Sequence, residues 1–278
     1  MNLSNKYYQL IKEGYCVFEN VLDKRMIQSL SILAENILGN QTNEEKEKFR
    51  SQGSLVPVSI DPIFAELISY PAAIQALGSL GYKDPKFMSG YIISKPPKSP
   101  RLFWHSDFMM YNESGVMDKY PEQLFLMYYI QDTTAHNGCL RVIPGSHLAE
   151  NPLHHELEDA HAETLARAND LSLPAFSTRS DEIDVNIQAG DLIIGDSRLL
   201  HASHSNESNL RRTNITLWYL PEFHHLSESK KAFYASVRMQ TPEQWPLNMQ
   251  NLIEPVLVNY DGNVEPLPQN RNRLTTKK

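Results

Sequence analysis

A histidine and an aspartate stand two residues apart in the segment His105-Ser106-Asp107. On a β-strand the side chains of residues i and i+2 project from the same face, so this imidazole and carboxylate would enter the same space. Two histidines and one carboxylate on one side of a ferrous ion form the metal site of non-haem iron oxygenases. Because the chain has ten histidines, a single pair at this spacing is expected by chance, and the motif alone is a weak indication.

A second histidine ligand must come from elsewhere, and His201 is the best candidate. The residues before it, 190–200, predict a turn, a short apolar strand and a second turn that deliver His201 to the start of the next segment. Taken alone, His201 could also be an exposed loop histidine, which is how we interpret His204.

After His201, side chains of different character alternate along residues 212–219, which predicts a strand whose two faces carry different side chains. One face carries Arg212, Asn214, Thr216 and Trp218. A buried guanidinium needs an anionic partner, and its planar fork matches a carboxylate through two parallel hydrogen bonds. A dicarboxylic cosubstrate would supply that anion to Arg212. The adjacent Arg211 points to the opposite face, and we interpret it as a surface arginine.

With these motifs, the sequence resembles the phytanoyl-CoA dioxygenase family of iron(II)- and 2-oxoglutarate-dependent oxygenases. The resemblance covers roughly residues 86–220, with a looser match in the N-terminal helices. No single piece decides it, but five pieces in the same order and spacing are specific. They are Lys95-Pro96-Pro97, Trp104-His105-Ser106-Asp107, residues 137–147, the stretch from Gly190-Asp191 to His201-Ala202-Ser203, and Arg212.

The resemblance implies a role for each matching residue. His105, Asp107 and His201 would be the iron ligands. Arg212 and Ser203 would bind the distal carboxylate of 2-oxoglutarate, and Tyr91 and Met127 would line the cosubstrate pocket, although relatives often carry an aromatic residue in place of Met127. Residues 137–147 are a family marker that we interpret as a turn and a core strand.

Four aromatic residues near these motifs are candidates for substrate contact, with core packing as the alternative for each. They are Trp104, Phe108, Tyr111 and Trp218. A helical insert near residues 149–168 is either a lid or a solvated surface helix, and we favour the surface helix.

The implied reaction uses Fe(II), 2-oxoglutarate and O2, converts 2-oxoglutarate to succinate, and oxidises a small organic molecule, most simply by hydroxylation. Related halogenases lack the carboxylate ligand, so Asp107 disfavours halogenation. Two alternatives remain open: a cupin-type protein that binds metal without 2-oxoglutarate, and a non-catalytic binding module. The Arg212 and Ser203 pair argues against the first, and an intact ligand set argues against the second.

The elements that must position these residues are mainly β. Short strands separated by turns after residue 86 predict a double-stranded β-helix, a cupin-like jelly roll with flanking helices. We predict a single oxygenase domain over residues 1–278. Residues 1–85 form a mostly helical support, 86–220 the β-helix core and 221–278 a C-terminal extension. We expect residues 40–54 to be a mobile linker and the chain from about Glu265 to be frayed.

The composition narrows the possible partners. A formal net charge of −7 argues against nucleic-acid binding and against a polybasic membrane contact. The longest uninterrupted apolar run, residues 124–130, is too short to span a membrane. The N-terminus does not have the pattern of a signal peptide, and two cysteines cannot make a disulfide framework, so we expect the cytoplasm. The substrate's identity and the oligomeric state are not fixed by the sequence.

Overall fold

The N-terminal part of the protein is mostly helical, as predicted. A computed structural model describes residues 4–111, 118–157 and 162–271. Its first elements are α1 (Asn5–Glu13), β1 (Tyr15–Phe18), α2 (Lys24–Gly39), α3 (Asn43–Lys48), β2 (Ser54–Pro57), α4 (Ile63–Ile68) and α5 (Pro71–Ser79). Asp23 caps α2, because its Oδ1 accepts a hydrogen bond of 2.7 Å from the backbone N–H of Met26.

Strands dominate the middle of the chain, and short helices follow. The strands are β3 (Lys86–Lys95), β4 (Leu102–His105), β5 (Leu124–Tyr129), β6 (Leu140–Val142), β7 (Ile183–Val185), β8 (Leu192–Asp196), β9 (His201–Ser203) and β10 (Arg212–Leu220). The remaining α-helices are α6 (Leu153–Glu156), α7 (Glu163–Ala166), α8 (Glu228–Val237) and α9 (Leu247–Ile253).

The strands form two antiparallel sheets. The larger sheet has the order β1-β8-β5-β10-β3-β2, and the smaller one has the order β4-β9-β6-β7. From β3 to β10 the chain crosses from one sheet to the other at every step except between β6 and β7, as in a jelly roll. The predicted mainly β class with flanking helices is therefore confirmed.

Alternation along the central strands of the larger sheet gives it two apolar faces. Leu126 and Ile215 pack with the N-terminal helices in the largest core cluster. Phe125, Met127 and Ile193 face the smaller sheet and pack with residues of β6 and β7. Since every second residue of β10 lies on that inner face, Arg212 projects into the space between the sheets.

Residues 40–54, which we expected to be a mobile linker, are ordered by long-range contacts. Thr42 caps α3 in a capping box with Glu45. Ser51 is fully buried, and its hydroxyl donates to the carbonyl oxygen of Leu165 at 2.7 Å. The polar residues that suggested a linker form the exposed surface of α3, a short capped helix.

The predicted helical insert is divided. Two helices of four residues each, α6 and α7, stand in place of one long helix, and residues 158–161 lie outside the described part. Leu153 and Leu165 are buried against residues of β4 and its neighbours. None of the described insert residues lines the cavity between the sheets, so this segment packs on the outer side of the smaller sheet.

The C-terminal segment is attached to the core as far as Arg271, contrary to the expected fraying from about Glu265, whereas residues 272–278 lie outside the described part. The backbone N–H of Asn270 donates to the carbonyl oxygen of Met109 at 2.8 Å. The backbone N–H of Tyr111 donates to the carbonyl oxygen of Asn270 at 3.0 Å. These bonds join the end of the described chain to the segment that follows Asp107. Within the described ranges, no helix combines the length and the apolarity needed to cross a bilayer.

Gly195 offers a test of this packing. A Cβ atom there would lie 2.1 Å from Cζ of Phe125, whose ring centroid is 5.1 Å from that of His201. We expect Gly195→Ala to lower the free energy of unfolding by about 1–3 kcal/mol through overpacking, measured by urea denaturation. Gly78→Ala in α5 is the control: a Cβ there meets nothing within 4 Å, and we expect a gain of about 0.5–1 kcal/mol. Equal effects of the two changes would contradict the packing described here.

Candidate active site

Two histidines face each other across neighbouring strands. His105 at the end of β4 and His201 at the start of β9 are paired in register, and their ring centroids lie 4.2 Å apart. The Nδ1 atom of each ring lies 3.0 Å from a carbonyl oxygen two residues earlier, that of Phe103 or Leu199. Because a carbonyl oxygen can only accept, each Nδ1 carries the proton and each Nε2 keeps the lone pair that a metal requires.

The Asp107 carboxylate completes the cluster. Its Oδ1 lies 3.7 Å from Nε2 of His105, and its Oδ2 lies 3.8 Å from Nε2 of His201. All three ligand atoms fall within 4.8 Å of one another. Two imidazoles and one carboxylate are the donor set that suits ferrous iron, so these residues fit the metal implied by the sequence resemblance.

Asp107 reaches this position differently from the way we predicted. β4 ends at His105, so Asp107 does not share a strand with it. The backbone N–H groups of Asp107 and Phe108 instead donate to the carbonyl oxygen of Ser197, at 2.8 and 2.9 Å. The turn between β8 and β9 therefore positions the carboxylate.

Trp218 fixes the orientation of the same carboxylate. Its indole Nε1 donates to Oδ2 of Asp107 at 3.0 Å. The sequence suggested Trp218 as a substrate contact, and its side chain does line the cavity. Its hydrogen bond gives it a further part in the site, because a ligand carboxylate held by a second group loses rotational freedom.

Two buried basic side chains lie side by side at the start of β10, at the end of the strand away from Trp218. Arg212 and Lys95 are directly opposite each other on β10 and β3, and both are buried. Burial lowers the pKa of both side chains, and Arg212 lowers that of Lys95 further. Lys95 Nζ donates to the carbonyl oxygens of Ser51 and Pro100. Among the described residues, neither cation has a carboxylate partner, so this end of the cavity is suited to an anion.

The hydrogen-bonding capacity near Arg212 also fits a carboxylate. One guanidinium nitrogen donates to Oδ1 of Asn214, but Nε of Arg212 and the hydroxyl of Ser203 are buried and bond to none of the described groups. Buried polar groups are normally hydrogen-bonded. The residues present therefore fit 2-oxoglutarate, whose distal carboxylate would accept from both.

One cavity of about 510 Å³ joins the histidine cluster to these cations. Tyr91 and Met127 both line it, as does Tyr129, whose ring lies 5.9 Å from the guanidinium carbon of Arg212. Burial raises the pKa of Tyr129 to about 12, so its hydroxyl stays protonated. Tyr91 is partly exposed and meets the ring of Trp218 edge to face at 6.1 Å.

Three of the aromatic residues suggested as substrate contacts do not line the cavity. Trp104 neighbours His105 on β4 and faces the other way; its Nε1 donates to the carbonyl oxygen of Ser177. Phe108 and Tyr111 pack against each other in a separate apolar cluster with a centroid distance of 5.1 Å. Core packing, the alternative for all three, is the role that these contacts support.

Several cavity residues had no role in the sequence-based prediction. Alternation placed Asn214 and Thr216 on the face of β10 that carries Arg212, but assigned neither a function; both line the cavity, and Asn214 Nδ2 donates to Thr216 Oγ1 at 2.9 Å. Gln269 and Arg271 also line the cavity, and no local pattern indicates that the C-terminal segment returns there.

A second group of possible metal ligands lies near the surface. It comprises Cys139, Asp184 and His204. Nε2 of His204 is 2.7 Å from Oδ1 of Asp184, and burial together with Asp184 raises the pKa of Cys139 to about 12. A protonated thiol is a poor ligand, so we interpret this group as a hydrogen-bonded His–Asp pair beside a structural cysteine.

The chain is similar to several known proteins. Residues 10–214 match the family model described as phytanoyl-CoA dioxygenase. The chain is 24% identical over 225 residues to an ectoine dioxygenase of Sphingopyxis alaskensis, covering 75% of this chain and 72% of the relative. It is 29% identical over 164 residues to phytanoyl-CoA dioxygenase 1 of Oryza sativa subsp. japonica, covering 57% of this chain and 53% of the relative.

Solved structures share the fold. HygX from Streptomyces hygroscopicus, crystallised with nickel and 2-oxoglutarate, superposes with a TM-score of 0.59 at 17% identity, over 80% of this chain and 88% of HygX. This similarity confirms the predicted jelly roll. Since the family model spans most of the chain, the protein belongs to the phytanoyl-CoA dioxygenase family of iron(II)- and 2-oxoglutarate-dependent oxygenases.

Proposed function

We propose that this iron(II)- and 2-oxoglutarate-dependent dioxygenase hydroxylates a small organic molecule in the cavity between its two sheets, with His105, Asp107 and His201 as the iron ligands. One observation carries the proposal: these three side chains share a single cavity with a buried arginine that lacks a described carboxylate partner. A metal-binding cupin or a pure binding module would need no such cation. The relatives named above act on small molecules, according to their names.

The contacts along the cavity indicate which residues would hold the iron and which would hold 2-oxoglutarate. The bound iron and 2-oxoglutarate supply oxidising power from O2, with succinate and carbon dioxide as the other products. His105 and His201 are oriented by carbonyl groups, and Asp107 by Trp218, which keeps the three donors converged on one point. Arg212 and Ser203 hold the distal carboxylate of 2-oxoglutarate, while Tyr91 and Met127 line its surroundings.

The apolar part of the lining excludes water from the reacting groups. Met109, Leu140 and Ile93 contribute side chains to this lining. Exclusion of water strengthens the charge interactions in the cavity and limits side reactions of the oxidant. For the compartment we propose the cytoplasm, on the ground that both cysteines, Cys16 and Cys139, are free and buried.

Asp107→Ala tests the metal site. Removing the anionic ligand should abolish tight ferrous binding and 2-oxoglutarate turnover, because two neutral imidazoles remain. Equilibrium dialysis with Fe(II) and succinate release are the measurements. Asp184→Ala, which removes the carboxylate that is hydrogen-bonded to His204 near the surface, should change neither. A parent rate of turnover in Asp107→Ala would show that Asp107 is not a ligand.

Trp218→Phe tests the orientation of that ligand. The change keeps a ring but removes the donor to Asp107, and loss of such supporting bonds commonly costs about 10- to 100-fold in metal affinity or activity. We expect weaker Fe(II) binding with an unchanged constant for 2-oxoglutarate. Trp104→Phe removes an equivalent indole bond, to Ser177, outside the cavity. If both variants bind iron equally well, Trp218 does not position Asp107.

Substitutions at the cationic end test the cosubstrate site. Arg212→Met removes a charge-assisted bond of roughly 1.5–3 kcal/mol, so the 2-oxoglutarate constant should rise about ten- to a hundredfold. Ser203→Ala should have a smaller effect, since it removes one neutral donor. Arg211→Ala is the control, because Arg211 bonds to Ser94 on the other side of the strand. The constant is obtained from succinate release. If substitution of Arg211 raises it more than substitution of Arg212, the assignment of Arg212 to the cosubstrate site is wrong.

A further inference from the structure

The C-terminal segment brings a second arginine to the cavity. Asn270 is bonded through its backbone to Met109 and Tyr111, which anchors the segment beside the chain that follows Asp107. The residues on either side of it, Gln269 and Arg271, both line the cavity. Arg271 is therefore held at the cavity by backbone bonds of its neighbour, not by its own side chain.

Arg271 is half-buried, and it differs from two arginines of the fold whose charges are paired. Arg141 and Arg198 each form an ion pair, with Glu182 and Asp196 respectively. Arg271 makes no ion pair to any residue in the described ranges, and its Nε is buried without a described hydrogen-bond partner. Since a buried donor without a partner is unfavourable, this guanidinium is suited to a ligand that the chain does not provide.

The contacts of its neighbour Asn270 place Arg271 toward Trp218 and not toward Arg212. Asn270 contacts Met109, which belongs to the apolar cluster against which Trp218 packs. Trp218 and Arg212 are six residues apart on β10, a distance of about 20 Å along a strand. The metal ligand Asp107 is bonded to Trp218, so Arg271 lies on the Trp218 side and Arg212 on the cosubstrate side.

The other charged groups in the loaded cavity do not balance the positive charge of Arg271. The ionised lining residues are Asp107, Arg212 and Arg271, with the two histidines neutral as metal ligands. A ferrous ion and Arg212 together balance Asp107 and the two carboxylates of 2-oxoglutarate. Lys95 does not line the cavity, and its Nζ already donates to two backbone carbonyls. Among the lining residues, the charge of Arg271 then has no counter-ion, and one further negative charge would balance it.

We infer that Arg271 binds the carboxylate of the substrate, which makes the substrate a small monoanionic organic acid. This inference rests on the proposed function. The planar guanidinium fork matches a carboxylate, and a single arginine without a neighbouring lining lysine balances a monoanion better than a phosphate dianion. The mixed lining around it, from Met109 and Trp218 to Gln269, suits an acid with an apolar body.

The test uses pairs of compounds that differ only in charge. Benzoic, cyclohexanecarboxylic and hexanoic acids and N-acetyl-leucine are each compared with their primary amides. Binding to the full-length protein loaded with nickel(II) and 2-oxoglutarate is measured by calorimetry, and stimulation of succinate release is measured with the ferrous protein. We expect acids to bind and amides to bind weakly. Arg271→Gln should raise the dissociation constant of the acids about ten- to a hundredfold, and Arg271→Lys should restore part of the loss.

Two controls separate this inference from the proposed function. Arg238→Gln removes an arginine of the C-terminal region that bonds to Met239 and does not line the cavity, and it should keep the preference for acids. Arg271→Gln should bind 2-oxoglutarate as the parent does, whereas failure of the parent to bind 2-oxoglutarate would reject the proposed function itself. Equal binding of acids and amides, binding of no acid in the set, or an unchanged preference in Arg271→Gln would each overturn the role of Arg271.

Discussion

The pairing of β4 with β9 is the constraint on which the site depends. It sets His105 opposite His201, and the carbonyl of Ser197 then fixes Asp107 beside them. The turn that carries Ser197 is held by a buried ion pair of 2.6 Å between Asp196 and Arg198. Breaking a buried pair by removing one partner leaves an uncompensated charge, so this turn is strongly specified. Residues far from the metal ligands in sequence thus determine their geometry.

The longer strands have the clearer sequence patterns, because polar and apolar residues alternate along β10 and β5 is a continuous apolar run. On β10 the period of two placed Arg212 inward and Arg211 outward. The short strands β2, β7 and β9 were missed, because three or four residues carry too little alternation to separate a strand from a loop. Their existence depends on partners elsewhere in the chain.

Contacts that join distant parts of the chain account for the other differences. The polar stretch before β2 is ordered by Ser51, which bonds to a carbonyl more than a hundred residues away. Asn270 joins the end of the chain to Met109 in the same way. Neither contact leaves a local pattern. The outward position of Trp104, by contrast, follows from its place next to His105 on one strand, and alternation could have predicted it.

The adjacent cations at Lys95 and Arg212 also have a thermodynamic consequence. Burial and the neighbouring Arg212 lower the pKa of Lys95, so placing both basic side chains in the fold costs free energy that an anion bound at Arg212 would offset. A ligand that binds only the native state stabilises it by an amount that grows with its concentration, about 2.7 kcal/mol at a hundred times its dissociation constant. Binding of 2-oxoglutarate beside Arg212, as proposed, would therefore raise the melting temperature of this protein.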